Sequence, residues 1–209
     1  MSLNPFKLVD KIFDMKIYFV TSNPGKVKEF KRILKGRIDL EHLKPDKDIQ
    51  ELESQDVREV AIDKAKKAAE IYKKTVLTED TGLFINTLNG FPGSLINRET
   101  KKHGEGFKYW CDLLNRMNAK DRSAYAEVAI AISTPEKNLA VYVGRVNGHI
   151  AKEPMIGKYG FGWDSIFIPE GYDKSFSQFG PEEKDKISHR RKALNKLLKD
   201  KKRLLRMLA

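Results

Sequence analysis

Ser22-Asn23-Pro24-Gly25-Lys26 follows the β-rich run Lys16-Ile17-Tyr18-Phe19-Val20-Thr21 and leads into a helical pattern with Val27, Phe30, Ile33 and Leu34 on one side. A strand that turns through Pro and Gly into a helix is expected to aim free backbone N–H groups at an opening. The helix dipole adds to their pull on an anion, and Lys26 adds a mobile positive charge. The G-x-x-x-x-G-K-[ST] spacing of a Walker loop is missing, and Asn23 before Pro24 also suits an ordinary helix start. Further along, Glu79 and Asp80 close the run Thr75-Val76-Leu77-Thr78 ahead of Gly82. Strand ends of this kind are where open α/β sheets place ligands. Glu51 and Glu53 lie in a polar loop upstream. Carboxylates converging beside a phosphate suit Mg²⁺, which keeps several waters and takes one or two protein carboxylates. One of them is able to accept a proton from attacking water. Without that partnership, Glu51 and Glu53 are solvated loop acids and Asp80 is a turn residue.

Two more stretches carry chemistry. Phe161-Gly162-Trp163-Asp164 follows a glycine-rich segment, and two aromatics beside an acid are able to stack a flat ring and bond its edge. Core packing at a strand start explains them equally well. In Ser188-His189-Arg190, Ser188 is a good helix cap, yet His189, Arg190 and Arg191 fill the first turn, where cations oppose the dipole. Local rules are often broken at functional sites, and His189 and Arg190 are able to donate to a base carbonyl or a phosphate. His42, His103 and His149 have no partner spacing and read as structural or surface residues.

The elements that must position these residues alternate early and then change character. Strands are expected at 16–21 and 38–43, with a helix between them from Val27 and a polar loop over 44–55. Asp56 with Glu59 has the form of a helix start, and the helix runs to about residue 73. The strand at 75–78 runs into Glu79-Asp80, and a helix is expected over 104–117. Longer strands at 124–133 and 139–146 follow, then a strand at 165–168 and a final helix over roughly 188–207. This order predicts an α/β fold: an elongated mixed β-sheet flanked by helices, in two lobes with a central active-site cleft.

The 209 residues are 40% apolar, enough for a real core, and exclude a disordered chain. Cys111 is the single cysteine, so neither an internal disulfide nor a cysteine-based zinc site is available. No apolar stretch approaches the roughly 18 residues that span a bilayer, and a soluble, cytoplasmic protein is expected. Residues 1–14 read as an N-terminal extension with a short amphipathic helix, and 15–209 as a single two-lobed domain. The net charge is +11, of which residues 184–209 hold +9. A basic run attracts phosphates, but a charged helix face is more often plain solvation. No aromatics are interleaved there, so nucleic-acid binding is not expected.

Taken together, the motifs resemble the inosine triphosphate pyrophosphatase family over about Lys16 to Leu198. The anchors are Thr21 to Lys26, Glu79-Asp80-Thr81-Gly82-Leu83, Gly90-Phe91-Pro92-Gly93, Phe161 to Asp164, and Glu183-Lys184 leading into Ser188-His189-Arg190. Each is weak alone, and their joint order makes the match specific. The resemblance implies a homodimer that cleaves ITP, dITP and XTP between the α- and β-phosphates with Mg²⁺, giving the monophosphate and pyrophosphate. It implies Ser22, Asn23 and Lys26 at the phosphates, Lys64 as the helix lysine, Glu51 as a metal-binding acid, and Asp80 at the metal and the attacking water. Phe161, Trp163 and Asp164 match the base pocket, and Lys184, His189 and Arg190 the other basic and base-reading positions. After Pro92-Gly93 the family commonly has an aromatic and often a basic residue; here Ser94-Leu95-Ile96-Asn97 intervenes before Arg98.

Phosphoanhydride hydrolysis needs charge neutralisation and an aligned water more than a covalent nucleophile, which agrees with these residue types. A 6-keto oxygen accepts from His189 or Arg190, whereas the amino group of adenine leaves those donors unpaired. Two rivals stand beside this reading: a Maf-like pyrophosphatase for pyrimidine or modified nucleotides, and a nucleic-acid-binding module using the basic C-terminal helix.

Overall fold

The computed structural model describes residues 16–46 and 49–208. The expected helix in 1–14 lies outside the described residues. Two βαβ steps come first: β1 (Ile17–Val20), α1 (Pro24–Leu34), β2 (Leu40–Leu43), α2 (Val57–Tyr72) and β3 (Val76–Ile85). The short β4 (Pro92–Gly93) precedes α3 (Ile96–His103) and α4 (Lys108–Arg116). The long hairpin β5 (Ser123–Ser133) and β6 (Leu139–Ile150) follows, then β7 (Phe167–Pro169), α5 (Pro181–Ile187), α6 (His189–Lys199) and α7 (Lys201–Leu208).

The strands form one seven-stranded mixed sheet in the order β2-β1-β3-β5-β6-β7, with β4 also on β3. β1 pairs in parallel with β2 and β3, and every other pairing is antiparallel. The expected α/β class and mixed sheet are therefore present. Two of the apolar clusters lie on one face of the sheet. Phe19, Phe30, Leu77, Ile130 and Leu194 belong to one cluster; Leu83, Trp110, Val146, Trp163 and Phe176 belong to the other. Between them a belt of buried polar residues crosses the sheet: Glu29, Glu79, Thr81 and Arg190.

Three elements differ from the sequence expectation. The helix expected over 104–117 is α4, which starts only at Lys108, and α3 before it was not expected; Gly104 ends α3 in the left-handed region at φ 71°. The strand expected at 165–168 is a 3-10 turn over Gly162–Ser165 followed by β7. The final helix breaks at Asp200, whose carboxylate accepts from Tyr142 Oη at 3.0 Å. Asp56 does cap α2, accepting from the Arg58 amide at 2.7 Å, while Glu59 accepts from Ser54 Oγ.

Candidate active site

The parallel ladder between β1 and β3 ends at Phe19 opposite Leu77, and β4 joins the same edge of β3 only at Leu83 and Phe84. The intervening stretch of that edge, Thr78 to Gly82, faces no strand. β1 turns away there through Ser22 and Asn23 into α1. Glu79 and Asp80 are therefore not at the end of a strand, as the sequence suggested, but in the middle of a ten-residue one. The cleft belongs to the carboxyl end of β1, beyond which β3 runs on.

Successive residues of a strand point to opposite faces. Glu79 and Thr81 lie on the α6 face, where Glu79 accepts from Thr81 Oγ1 at 2.8 Å. Glu79 also forms an ion pair with Lys26 and accepts from Arg190 Nε at 3.2 Å. Burial alone would raise the pKa of Glu79, but Arg190 and Lys26 outweigh it and hold the group well below the usual carboxylate range. Asp80 lies on the α2 face with Lys64, which pairs with Glu51. Asp80 is the only residue of β3 not fully buried, yet its Oδ2 is shut away without a hydrogen-bond partner among the described residues. Burial lifts its pKa to about 6, against the opposing pull of Lys64 and Lys26. Lys64 moves upward instead, because Glu51 and Asp80 outweigh its burial.

The turn itself differs from the expected cradle of free amides. Pro24 has no N–H, and Gly25 and Lys26 donate theirs to Asn23 Oδ1 at 2.9 and 3.2 Å. The Val27 amide goes to Asn23 O at 3.4 Å. The first helical turn is thus capped internally. With Oδ1 fixed on the helix end, the side-chain amide of Asn23 leaves its two Nδ2 donors for an anion. Ser22 is exposed beside it. The donors this turn presents are therefore side chains, Lys26 among them, rather than free backbone amides.

On the α6 side, Gly144 lets the helix start lie directly on β6; a Cβ there would stand 2.1 Å from the His189 carbonyl oxygen. Ser188 caps α6, its Oγ accepting from the Arg191 amide at 3.1 Å. The imidazole of His189 is fully buried, 5.6 Å from the Trp163 ring and 6.2 Å from the Phe176 ring by centroids. Neither of its nitrogens has a partner among the described residues. Burial pushes its pKa well below the ordinary value, with Arg190 and Lys184 adding to the effect, so His189 is neutral.

Arg190 departs from the expected base-reading role. It is 2% exposed and donates from Nη1 to Glu29 at 2.9 Å, from Nη2 to Thr81 Oγ1 at 3.2 Å, and to Glu79. Four of its five N–H groups are taken by this belt, because three acceptors buried at the same level leave a cation no cheaper place to go. Glu29 was not singled out from the sequence; its place one helical turn after Lys26 and one turn before Ile33 was the only signal. Arg32 and Asp185 were missed in the same way. They tie α1 to α5, with Nη2 donating to Oδ1 at 2.9 Å.

Phe161 and Trp163 do not form a facing pair. Trp163 is buried in the core beside Phe167 and Phe176. Phe161 is exposed and lies over the turn that opens α1, where a Cβ at Gly25 would stand 3.3 Å from its ring. Lys184 Nζ and Arg190 Cζ lie 5.3 and 5.5 Å from its centroid. Asp164, buried, accepts from the Phe161 amide at 2.8 Å and from Lys184 Nζ at 2.6 Å, so it fastens the aromatic loop to α5. Glu53 stands apart from the cluster and pairs with Arg98.

Lys26, Glu79 and Arg190 form one ion-paired set with His189 next to Arg190 in the chain, and Lys64, Glu51 and Asp80 lie on the other side of β3 at the stretch of its edge that pairs with no strand. No group of three or more His, Cys, Asp or Glu side chains able to hold a metal occurs among the described residues.

Comparison with known proteins bears on this set. The model of the Ham1 family matches residues 17–200. The dITP/XTP pyrophosphatase of Ignicoccus hospitalis is 40% identical over 188 residues, covering 88% of this chain and 95% of the relative. The dITP/XTP pyrophosphatase of Bacillus subtilis is 40% identical over 185 residues, covering 86% and 93%. Among solved structures, the Ham1 protein of Staphylococcus aureus is similar with a TM-score of 0.74 at 35% identity, covering 88% of this chain and 96% of that one. A nucleoside-triphosphatase / dITP/XTP pyrophosphatase of Mycobacterium abscessus is similar with a TM-score of 0.71 at 32% identity, covering 88% and 99%.

Proposed function

We infer, from the premise that this chain belongs to the Ham1 family, that it hydrolyses non-standard purine nucleoside triphosphates such as ITP, dITP and XTP to the monophosphate and pyrophosphate. The observation that carries the reading is the pairing of two unlike half-sites along one strand edge. Lysines and carboxylates stand on either side of β3 at Glu79 and Asp80, and a neutral, unbonded imidazole is packed against an indole nearby.

In this reading Lys26, Lys64 and the Asn23 amide hold the phosphates, and Ser22 and Lys184 border them. Glu79 keeps Lys26 at the cleft, and the Glu29–Arg190 contact fixes Glu79 in turn. Asp80, with a raised pKa, takes the proton of the attacking water on its carboxylate. Phe161 lies where a base ring would stack, and Trp163 backs His189, whose ring donates to the 6-keto oxygen. An amino group at that position offers His189 no acceptor, so adenine is disfavoured.

The donor set also fits a divalent cation: two carboxylates, Glu51 and Asp80, stand near lysines that want phosphate, and Asp80 Oδ2 is an orphaned hard oxygen. Mg²⁺ suits such a pair, because it takes one or two carboxylates together with substrate phosphate. Glu51 and Asp80 would hold it, and it would neutralise phosphate charge and acidify water there. We further read the protein as a cytoplasmic homodimer with residues 15–209 acting as one catalytic domain. No helix among the described residues is long and apolar enough to cross a membrane.

Parallel turnover of ITP, XTP, GTP, ATP and dUTP tests the reading. ITP and XTP should exceed ATP and dUTP by orders of magnitude. Preference for dUTP or another pyrimidine would favour the Maf-like alternative instead.

A further inference from the structure

We propose that Ser94 and Arg98 are positioning residues for Glu51, forming a strap from the β4–α3 segment that sets where this acid stands against Lys64 and Asp80. The proposal rests on the reading of Glu51 as a metal-holding acid.

The loop that carries Glu51 has little of its own to hold it. Ile49 packs against the cluster of Val20, Ala68, Ala69 and Val76, and Lys67 Nζ donates to Gln50 O at 3.0 Å. Beyond that point Leu52 is 42% exposed, so no apolar side chain anchors the loop before α2 begins. The Glu51–Lys64 ion pair is formed by a largely exposed carboxylate, and such pairs contribute little by themselves.

The anchoring comes from across the loop, at three consecutive residues. Ser94 Oγ donates to Ser54 O and the Ser94 amide donates to Gln55 O at 3.2 Å, while Arg98 Nη1 pairs with the Glu53 carboxylate, an exposed pair that adds little except beside these two bonds. Gly93 makes the approach possible. Its φ of +60° is in the left-handed region, and a Cβ there would stand 2.6 Å from Gln55 O. Glu51 is thus bracketed between Gln50, held by α2, and Glu53 to Gln55, held by β4 and α3. Groups that orient a metal ligand typically change metal affinity by about tenfold or more when removed.

The test measures Mn²⁺ binding by electron spin resonance, with inorganic pyrophosphate present, for the wild type and for Ser94→Ala, Ser94→Thr, Arg98→Ala, Arg98→Lys and Glu51→Gln. Ser94→Ala and Arg98→Ala should each weaken Mn²⁺ binding, Ser94→Ala by about tenfold. The hydroxyl-retaining Thr and charge-retaining Lys variants should recover most of it. At saturating Mn²⁺, kcat should stay within about twofold of wild type. Wild-type Mn²⁺ affinity in both alanine variants, whatever their thermal stability, overturns the proposal while a weakened Glu51→Gln leaves the reading of Glu51 intact. Wild-type affinity in Glu51→Gln overturns that reading, and the strap's purpose with it.

Discussion

Glu79 and Asp80 are adjacent in the chain and displaced in opposite directions in acidity: Glu79 lies far below the usual carboxylate range and Asp80 is lifted to about 6. The alternation of a strand separates them. One faces two buried or half-buried cations on the α6 side, and the other faces a desolvated pocket on the α2 side. Two carboxylates with divergent pKa values are a common way to divide structural and proton-transfer roles.

The two should therefore respond differently to neutralisation. Asp80→Asn should lower turnover by about 10²–10⁴-fold. Because its folded pKa lies above the unfolded value of 3.8, the ionised carboxylate opposes folding, and that penalty builds as pH rises from 3.8 to about 6. The variant should gain stability on the order of 2 kcal/mol at pH 8 and show no gain near pH 3. Chemical denaturation at the two pH values checks this.

Glu79→Gln should do the reverse. Its folded pKa is depressed, so its contribution is full above the unfolded value of 4.5 and is lost as pH falls below it. Removing one partner from a buried charge set costs about 3–5 kcal/mol, which for a chain of this length is a fall in Tm on the order of 10 °C. Differential scanning calorimetry at pH 7.5 reads it directly.

The pH profile of kcat/KM for ITP should rise through an apparent pKa near 6 on its acid side, reporting Asp80 in the free enzyme. Raising the divalent-ion concentration should move that limb to lower pH, since a nearby positive charge favours the carboxylate. A profile flat between pH 5 and 8 would assign the proton to another group.

His189→Ala should cost ITP about 10²-fold in kcat/KM and leave ATP nearly unchanged, because the lost donor serves only a 6-keto base. Equal losses on the two substrates would make the buried imidazole a packing residue. Initial rates at low substrate concentration distinguish the outcomes.

The basic C-terminal helix should prove to be structural. Leu204 is 4% exposed within the cluster of Phe19 and Leu194, and Asn138 Nδ2 donates to Met207 O at 3.3 Å. Leu204→Ala should cost about 2–3 kcal/mol, measured by urea unfolding, with no salt-dependent nucleic-acid affinity to lose.

The sequence was most informative where local rules sufficed. Asn23 and Pro24 announce the start of α1, Asp56 that of α2, and the apolar spacing of β5 and β6 gives the long hairpin. Residue order also singled out Lys26, Lys64, Asp80 and His189, which the fold brings to neighbouring positions about β3. What stayed hidden depends on pairing across distance. The β3 edge is unpaired between Leu77 and Leu83 because β1 stops short, and no window of sequence shows where a neighbouring strand ends. The fate of Arg190 was hidden for the same reason: Glu29 and Glu79 are 161 and 111 positions away. Asn23 was legible as a cap, and its geometry spends Oδ1 on the helix while leaving Nδ2 for the phosphate contact proposed above.

Phosphorus-31 magnetic resonance of ITP hydrolysis in the presence of Mg²⁺ tests the central claim most directly. The account predicts inosine monophosphate and pyrophosphate appearing together in equal amounts. Orthophosphate with inosine diphosphate would contradict it, because attack would then fall at the far end of the chain of phosphates rather than beside Asp80.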